Sequence, residues 1–259
     1  MARLKPQLDM EGNLGQLSIY RQYGSDKVYV RRKGGPTKEQ ISNHPNFERT
    51  RWNNAEFKAC TMMTQSIRQA LFPLRHLGDP LFTGALNKLA KAIQKTDAAD
   101  LGQRCIYLSR NRHLLQGFPL NLLHPFDGIV RIPVAVHPDR AGGGAIVSIP
   151  ELVPGIHLHL LRDAPYYRFC VTLGAAGDIT FADGGHQRMG QLPIASHVAN
   201  WQHRQSPAAA TTVQLRLPQE FPDAVTLVLG IGIEQGAPDN TGNIIAVKRS
   251  GSAKVLGVF

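Results

Sequence analysis

Cysteine is scarce in this chain, and long apolar runs are missing from it. The three cysteines, Cys60, Cys105 and Cys170, are odd in number and form no CxxC pair. They are therefore expected to be buried or free thiols, and neither a disulfide framework nor a zinc site is indicated. The longest apolar stretches, such as residues 224–233, have the length of a strand and fall short of the roughly 20 residues that a membrane-spanning helix needs. No membrane-spanning segment is expected.

An apolar leader is missing as well. Residues 1–13 contain basic side chains but no apolar segment, so no secretory signal peptide is predicted. We expect synthesis in the cytoplasm, and signal-independent export or release by lysis stays open.

The motifs that identify most catalytic sites do not occur. The sequence has no GxSxG element, no Walker-type phosphate loop and no HExxH. Residues 142–144 are three glycines without the Lys and Ser or Thr of a phosphate loop, and they are interpreted as a hairpin turn. Glu151, Glu220 and Glu234 are too scattered to be paired as general acid and base. We therefore expect a protein that is not an enzyme and uses no cofactor.

Ten histidines raise the question of a metal. His157 and His159 are two residues apart in a predicted strand, so both imidazoles would project from one face. A third ligand would have to come from elsewhere in the chain, and no pattern selects one. Such a pair is more often ordinary surface, and no metal site is predicted.

The chain has a surplus of positive charge, and its first part holds all of it. Among 259 residues, 29 Lys and Arg oppose 19 Asp and Glu, which gives a formal net charge of +10. Residues 1–115 contain 19 of the basic and 9 of the acidic residues, whereas residues 116–259 contain 10 of each. This asymmetry is typical of an interaction surface. Its partner could be nucleic acid, an acidic membrane surface or another copy of the chain.

A β-hairpin is predicted near the start of this basic part. Residues 17–22 and 28–31 alternate between apolar and polar or aromatic side chains, and Gly24-Ser25-Asp26 supplies a turn. A two-stranded hairpin is only marginally stable alone, so it must dock on its own domain or on another chain. Residues 36–54 have little periodicity and predict an irregular arm with one short helical turn at its start. An arm that crosses a neighbour and a loop over its own domain fit this pattern equally well.

A helical hairpin is predicted next. Its first helix starts at Asn53 or Asn54 and ends at Pro73, and its second starts at Asp79 with Pro80 in the first turn. The apolar stripes are Phe57, Cys60, Thr64, Ile67 and Leu71 on the first helix and Phe82, Leu86, Leu89 and Ile93 on the second. Lys88, Lys91 and Lys95 share the opposite face of the second helix, which could bind phosphates but is more often a solvated surface.

The pattern changes to period two in the last part of the chain. Predicted strands are residues 130–136, 145–149, 156–161, 167–173, 212–217, 225–233, 244–247 and 255–258, with turns at 137–139, 142–144, 175–178 and 236–242. Short strands with regular turns favour an antiparallel sandwich. The predicted fold class is α+β, with a basic hairpin and extended arm (1–54), a helical hairpin (55–115) and an antiparallel β-sandwich (116–259).

The N-terminal third resembles a group of uncharacterised proteins common in Bacteroidota genomes. The resemblance rests on the glycine-punctuated segment 12–20, on residues 32–37 (RKGGPT) and on an "RTR-N--EF" element at residues 49–57. Residues 228–234 (VLGIGIE) are similar as well, although Gln235-Gly236-Ala237 replaces the aromatic residues that the group more often has. The resemblance implies a shared architecture and brings no established activity, cofactor or catalytic residue.

Three functions remain, and self-assembly is favoured. In this hypothesis a structural protein forms a filament, tube or coat, because the N-terminal hairpin and arm add a strand to a neighbour's open sheet edge. The predicted interface consists of Leu17, Ile19, Tyr20, Val28, Tyr29 and Val30 for the joint, and Arg31, Arg32, Lys33, Arg49 and Arg51 for its register. The alternative is a protein that binds nucleic acid through its basic part. A sandwich that binds carbohydrate is the weakest candidate, because exposed aromatic residues are few there.

Overall fold

The computed structural model describes residues 2–3, 10–22 and 24–259 of the chain. Met1, residues 4–9 and Tyr23 belong to the predicted hairpin-and-arm region and lie outside this described part. The chain forms two compact units, Met1–Arg51 and Trp52–Phe259.

The N-terminal unit contains a four-stranded antiparallel sheet. Its strands are β1 (Ala2–Arg3), β2 (Gly12–Leu14), β3 (Leu17–Arg21) and β4 (Val28–Arg32), in the order β1-β4-β3-β2. The predicted hairpin is confirmed as β3 and β4. The predicted helical turn is α1 (Lys38–Asn43), where Thr37 and Gln40 form a capping box: the Thr37 hydroxyl accepts from the Gln40 N–H, and the Gln40 side chain accepts from the Thr37 N–H.

The helical hairpin consists of α2 (Glu48–Ala70) and α3 (Phe82–Gln94), with a 3-10 turn at Phe72–Leu77 between them. α2 begins before the predicted cap at Asn53 or Asn54, because a 3-10 turn at Pro45–Phe47 leads directly into it. Asp79 does cap α3: its Oδ1 accepts from the backbone N–H groups of Leu81 and Phe82 at 2.7 and 2.9 Å. The predicted stripe is wrong at Phe57, which is 59% exposed, because the inward face of α2 runs through Ala59 and Met63 instead.

The remaining chain is rich in antiparallel β-structure. The largest sheet has the order β10-β7-β13-β14, and β11 and β15 add to it by pairing with β7 and β13. A second sheet has the order β12-β6-β5, and β8 pairs with β9. The strands are β5 (Ala135–Asp139), β6 (Gly144–Ile149), β7 (Tyr166–Gly177), β8 (Ile179–Ala182), β9 (Gly185–Arg188), β10 (Ile194–Val198), β11 (Gln202–His203), β12 (Thr211–Arg216), β13 (Val225–Pro238), β14 (Ile244–Ala246) and β15 (Ser252–Val258), and a short helix α4 covers Phe126–Ile129. The predicted α+β class, with antiparallel sheets after a helical hairpin, is confirmed.

The long central strands β7 and β13 are buried on both faces. One face of β7, with Tyr167, Phe169 and Val171, packs against Val147 and Val213 of the three-stranded sheet. The opposite face belongs to the cluster that contains the apolar side chains of α2 and α3. The second unit therefore has three layers: the helical hairpin, the large sheet and the small sheet.

Glycine allows the first two layers to approach closely. A Cβ atom built on Gly174 of β7 would stand 2.5 Å from the backbone of Ala70 at the end of α2. One on Gly232 of β13 would meet Leu77 at 2.4 Å. These positions need a residue without a side chain because the helical layer occupies that space.

Several local predictions in the β-region are wrong. Residues 156–161 form no strand, and Leu158 makes only an isolated bridge to Val130. The predicted turns at 137–139 and 175–178 lie inside or at the end of strands: β5 continues through Pro138 at a sheet edge, and β7 continues to Gly177. The small residues of β7 are needed there for close packing and do not mark a turn. Among the described residues, no helix is both long and apolar enough to cross a membrane.

Candidate functional site

The N-terminal sheet has one apolar face that reaches its edge. The register places Leu14, Leu17, Ile19, Val28 and Val30 on the same face, with Arg32 opposite Leu17 and Arg21 opposite Val28 at its ends. Ile19 and Val28 are buried, whereas Leu14 and Leu17 are 61% and 39% exposed. Leu14 lies on β2, which is one of the two edge strands of the sheet among the described residues. At β2 the face therefore ends in an exposed apolar patch beside a strand edge that pairs with no further described strand.

The opposite face carries aromatic and basic side chains. The rings of Tyr20 and Tyr29 are stacked, with centroids 5.8 Å apart. The Arg31 guanidinium lies over the Tyr20 ring at 5.4 Å. The six apolar and aromatic residues predicted for the joint thus come together in one sheet but divide between its two faces: Leu17, Ile19, Val28 and Val30 on one, and Tyr20 and Tyr29 on the other.

The basic residues predicted to set the register have different environments. Arg31, Arg32, Lys33 and Arg49 are exposed. Arg51 has a local structural contact instead, since its Nη1 donates to the carbonyls of Ile41 and His44, both at 3.0 Å. Arg51 thereby satisfies carbonyl groups at the end of α1.

Glu56 is a buried carboxylate at the centre of the helical hairpin. Its Oε2 accepts a hydrogen bond from Lys91 Nζ, its Oε1 accepts from the Gly102 N–H at 3.1 Å, and Arg104 Nε lies 3.8 Å from Oε1. Burial alone would raise the pKa of Glu56, but the bonds from Lys91 and Gly102 outweigh it and hold the pKa below its ordinary value. Lys91 is therefore engaged inside the hairpin, and the predicted lysine stripe on α3 keeps only Lys88 and Lys95 as exposed members.

A second buried carboxylate, Glu234, connects three parts of the second unit. It pairs with Arg168 at 2.5 Å and with His76 Nε2 at 2.9 Å. Burial would raise the pKa of Glu234, yet the bonds from His76 and Arg168 lower it. Cys170 lies 3.7 Å from this carboxylate, and burial raises the pKa of its thiol to about 12. A thiol with so high a pKa is not an activated nucleophile.

The other cysteines and the histidine pair give no reactive centre. All three cysteines are free, and burial raises the pKa of Cys60 to about 11. His157 and His159 lie in a segment without a strand, and His157 Nδ1 accepts from the Val153 N–H at 3.1 Å. Within the described part of the chain, no group of three or more His, Cys, Asp or Glu side chains is placed to hold a metal ion.

An apolar cavity of about 240 Å³ lies between the two sheets of the sandwich. It is lined by Tyr167, Phe169, His197, Thr211 and Val213, among others. The buried hydroxyl of Tyr167 has no hydrogen-bond partner in the described structure. The cavity is smaller than the roughly 300–1,000 Å³ of most small-molecule sites.

A larger groove of about 770 Å³ is lined by residues of the helical hairpin and of the segment from β9 to β10. We call it the arginine groove, because Arg68, Arg75 and Arg188 line it and no Asp or Glu does. Its other lining residues are Thr61, Thr64, Gln65, Gln69, Phe72, Thr83, Asn87, Gln191 and Ile194.

Sequence reasoning missed this groove. Thr61, Thr64, Gln65, Arg68 and Gln69 recur at spacings of three and four, which is a polar helical face that the sequence does show. Thr64 was assigned to the apolar stripe instead. Arg188 comes from β9, more than a hundred residues away, and nothing local brings it to α2.

Comparisons with protein-family models, with curated proteins and with solved structures find no match to this chain. The resemblance of the N-terminal third to the Bacteroidota group therefore stays a hypothesis.

Proposed function

We propose that this chain is a non-enzymatic structural protein that assembles with copies of itself into a filament, tube or coat through its N-terminal unit. The observation that carries the proposal is the exposed apolar patch of Leu14 and Leu17 at the open edge strand β2. An edge of this kind is a template for pairing with another chain. Its backbone groups supply hydrogen bonds, and its side chains supply the apolar contact.

The small core of the unit supports the proposal. Within the described residues of Met1–Arg51, only Ile19 and Val28 are buried apolar side chains, and α1 and the following 3-10 turn bury none. A unit of about this size is marginally stable by itself even with a good core. Contact with a neighbouring copy would provide the missing apolar burial.

The exposed basic residues would orient that contact. Arg32 is the last residue of β4, Lys33 follows it, and Arg49 lies at the start of α2. The C-terminal part of the chain has as many acidic as basic residues, so a neighbour can present carboxylates to them. The small sheet offers two edge strands, β5 and β12, as receptors in the described structure. Contacts between different surfaces of successive copies give an open polymer unless the rotation closes a ring.

The test uses the full chain and one charge substitution. We expect the wild type to form ordered polymers in negative-stain electron microscopy and to sediment as large species, and Leu14→Lys to sediment as a monomer. Leu123→Lys is the matched control, because Leu123 is 66% exposed and lies in the second unit. A wild type that stays monomeric at low salt and free of nucleic acid would remove the basis of the proposal.

Nucleic-acid binding is the second candidate, favoured by the Tyr20, Tyr29 and Arg31 face. Stacked aromatic rings beside arginine are the usual platform for single-stranded bases. Binding of a labelled single strand would then fall with salt, with a logarithmic slope of about −0.7 for each phosphate neutralised. Tyr20→Ala would weaken it. A flat salt dependence would exclude this candidate.

A further inference from the structure

We infer that the arginine groove is a binding site for a small phosphorylated molecule that also carries hydroxyl groups. The groove lies wholly within the second unit and is independent of the proposed assembly surface. Its volume of about 770 Å³ falls in the range of small-molecule sites.

The positive charge of the groove favours an anionic ligand. Arg68, Arg75 and Arg188 line it together without a carboxylate among the lining residues. None of the three makes an ion pair or a side-chain hydrogen bond within the described structure, in contrast to Arg104, Arg140, Arg168 and Arg204. Three uncompensated guanidinium groups at one concavity focus a positive potential into it, and guanidinium groups match phosphate oxygens in geometry.

Aromatic rings hold two of these arginines in place. The Arg68 guanidinium lies over the Phe82 ring at 5.6 Å, and the Arg75 guanidinium lies over the Phe72 ring at 5.3 Å. Arg68 is half-buried and projects from the last turn of α2. Side chains restrained in this way lose less conformational freedom when they bind a ligand.

The second observation is a cluster of unpaired polar atoms in the same wall. Thr64 Oγ1, Arg68 Nε and Asn87 Oδ1 are buried and have no hydrogen-bond partner in the described structure. Thr64 as a whole is only 3% exposed. Buried polar groups are normally paired, and the three residues that carry these atoms all line the groove, so a polar ligand that enters with a small side-chain movement would complete them.

The donor or acceptor character of each of these atoms indicates that the ligand is more than a simple anion. Arg68 Nε–H is a donor, the Thr64 hydroxyl both donates and accepts, and the Asn87 side-chain oxygen accepts. The dianionic phosphate of a phosphomonoester satisfies the donors but has no hydrogen to donate to an acceptor such as the Asn87 oxygen. A ligand with hydroxyl groups beside its phosphate satisfies both kinds.

A second copy of the chain is a poor occupant. The 19 acidic residues are scattered through the sequence and form no acidic run that could fill a groove with three arginines. Phe72 and Ile194 are the only large apolar side chains among the lining residues, and the rest of its apolar surface comes from the stems of polar residues. A small anion fits these features better than a peptide.

The experiment is calorimetric titration of the full chain with ribose 5-phosphate, inorganic phosphate and ribose. We expect ribose 5-phosphate to bind more tightly than either of the others, and Arg68→Gln to weaken it by about ten- to a hundredfold, as for the loss of a charge-assisted hydrogen bond. Arg131→Gln is the matched control, because Arg131 is exposed and lies outside the groove.

Thr64→Val separates binding from folding. The substitution replaces an unpaired buried hydroxyl with a methyl group of similar shape, so it should raise the thermal midpoint of the free protein and lower the affinity for ribose 5-phosphate. Thr226→Val is its control: the Thr226 hydroxyl is also buried and unpaired but lies outside the groove, so only the midpoint should rise.

Three results would overturn the inference. One is the absence of ribose 5-phosphate binding at millimolar concentration. Another is equal affinity for ribose 5-phosphate and inorganic phosphate, which would show that hydroxyl groups are not recognised. The third is much tighter, Arg68-dependent binding of a single-stranded oligonucleotide, which would assign the groove to nucleic acid. None of these results bears on polymer formation, which depends on the N-terminal unit.

Discussion

Glu56→Gln is the sharpest test of how the helical hairpin is held together. Glu56 is fully buried and accepts hydrogen bonds from Lys91 and from the Gly102 N–H, with Arg104 nearby. Glutamine has nearly the same shape and keeps one oxygen acceptor. It removes the negative charge, however, and leaves Lys91 in a partly buried position without a counter-charge.

The expected destabilisation can be worked out from these contacts. Breaking one side of a buried ion pair generally costs about 3–5 kcal/mol. The Lys91 and Arg104 side chains are 36% and 30% exposed, so water recovers part of that loss. We therefore expect Glu56→Gln to lower the free energy of unfolding by about 2–3 kcal/mol, which for a protein of this size lowers the thermal midpoint by roughly 4–12 °C. Glu220→Gln, at an exposed position, should leave the midpoint nearly unchanged.

The pH dependence of the difference identifies its cause. The pKa of Glu56 is lowered in the folded chain, so its ionised form contributes stability above its ordinary value of 4.5. This contribution is lost as the pH falls below 4.5 and through the lower folded value, because the wild-type carboxyl then becomes protonated. Urea unfolding at pH 7 and at successively lower pH should show the wild type and Glu56→Gln converging. A difference that stays constant down to acid pH would refute the electrostatic explanation and leave a packing defect in its place.

Two further predictions concern packing and thiol chemistry. In a denaturant titration, Gly174→Ala should lower the free energy of unfolding by about 1–3 kcal/mol, because the new methyl group would collide with the Ala70 backbone. Gly84→Ala is the control: Gly84 has open space around it in α3, so the substitution should be neutral or stabilising. Iodoacetamide should modify Cys105 first, since Cys60 and Cys170 are buried with raised pKa values; mass spectrometry showing equal labelling of all three in the native protein would contradict this burial.

The sequence predicts the type of most elements because their patterns are local. The alternation in residues 17–31 and the capping residue Asp79 depend on neighbours within a few positions, and both are found as expected. The central strands were harder to delimit. β7 is buried on both faces, so its sequence does not alternate between apolar and polar residues. Its last residues, Ala175-Ala176-Gly177, resemble a turn in the sequence, but their small side chains serve close packing.

The candidate surfaces were predictable to very different degrees. The N-terminal joint could be located because a hairpin places its residues together by local pairing, although the exposed Leu14 beside it needed the pairing of β2 with β3. The role of Arg51 could not be foreseen, because its partners are backbone carbonyls. The arginine groove needs Arg188 to reach α2, and this depends on the layering of the whole second unit.

The distribution of counter-charges explains why the two proposed surfaces are basic. The chain has ten more basic than acidic residues, and buried carboxylates take up several of the cations: Glu56 faces Lys91 and Arg104, and Glu234 faces Arg168. The Glu56 pairs stabilise the helical layer, and the Glu234–Arg168 pair joins the neighbouring strands β13 and β7 of the large sheet. Basic side chains without an ion pair among the described residues then stay at Arg31, Arg32 and Arg49 of the N-terminal unit and in the arginine groove. The two surfaces share no residue, so loss of polymers in Leu14→Lys and loss of phosphate binding in Arg68→Gln should occur independently. A substitution that abolished both at once would mean that assembly completes the groove.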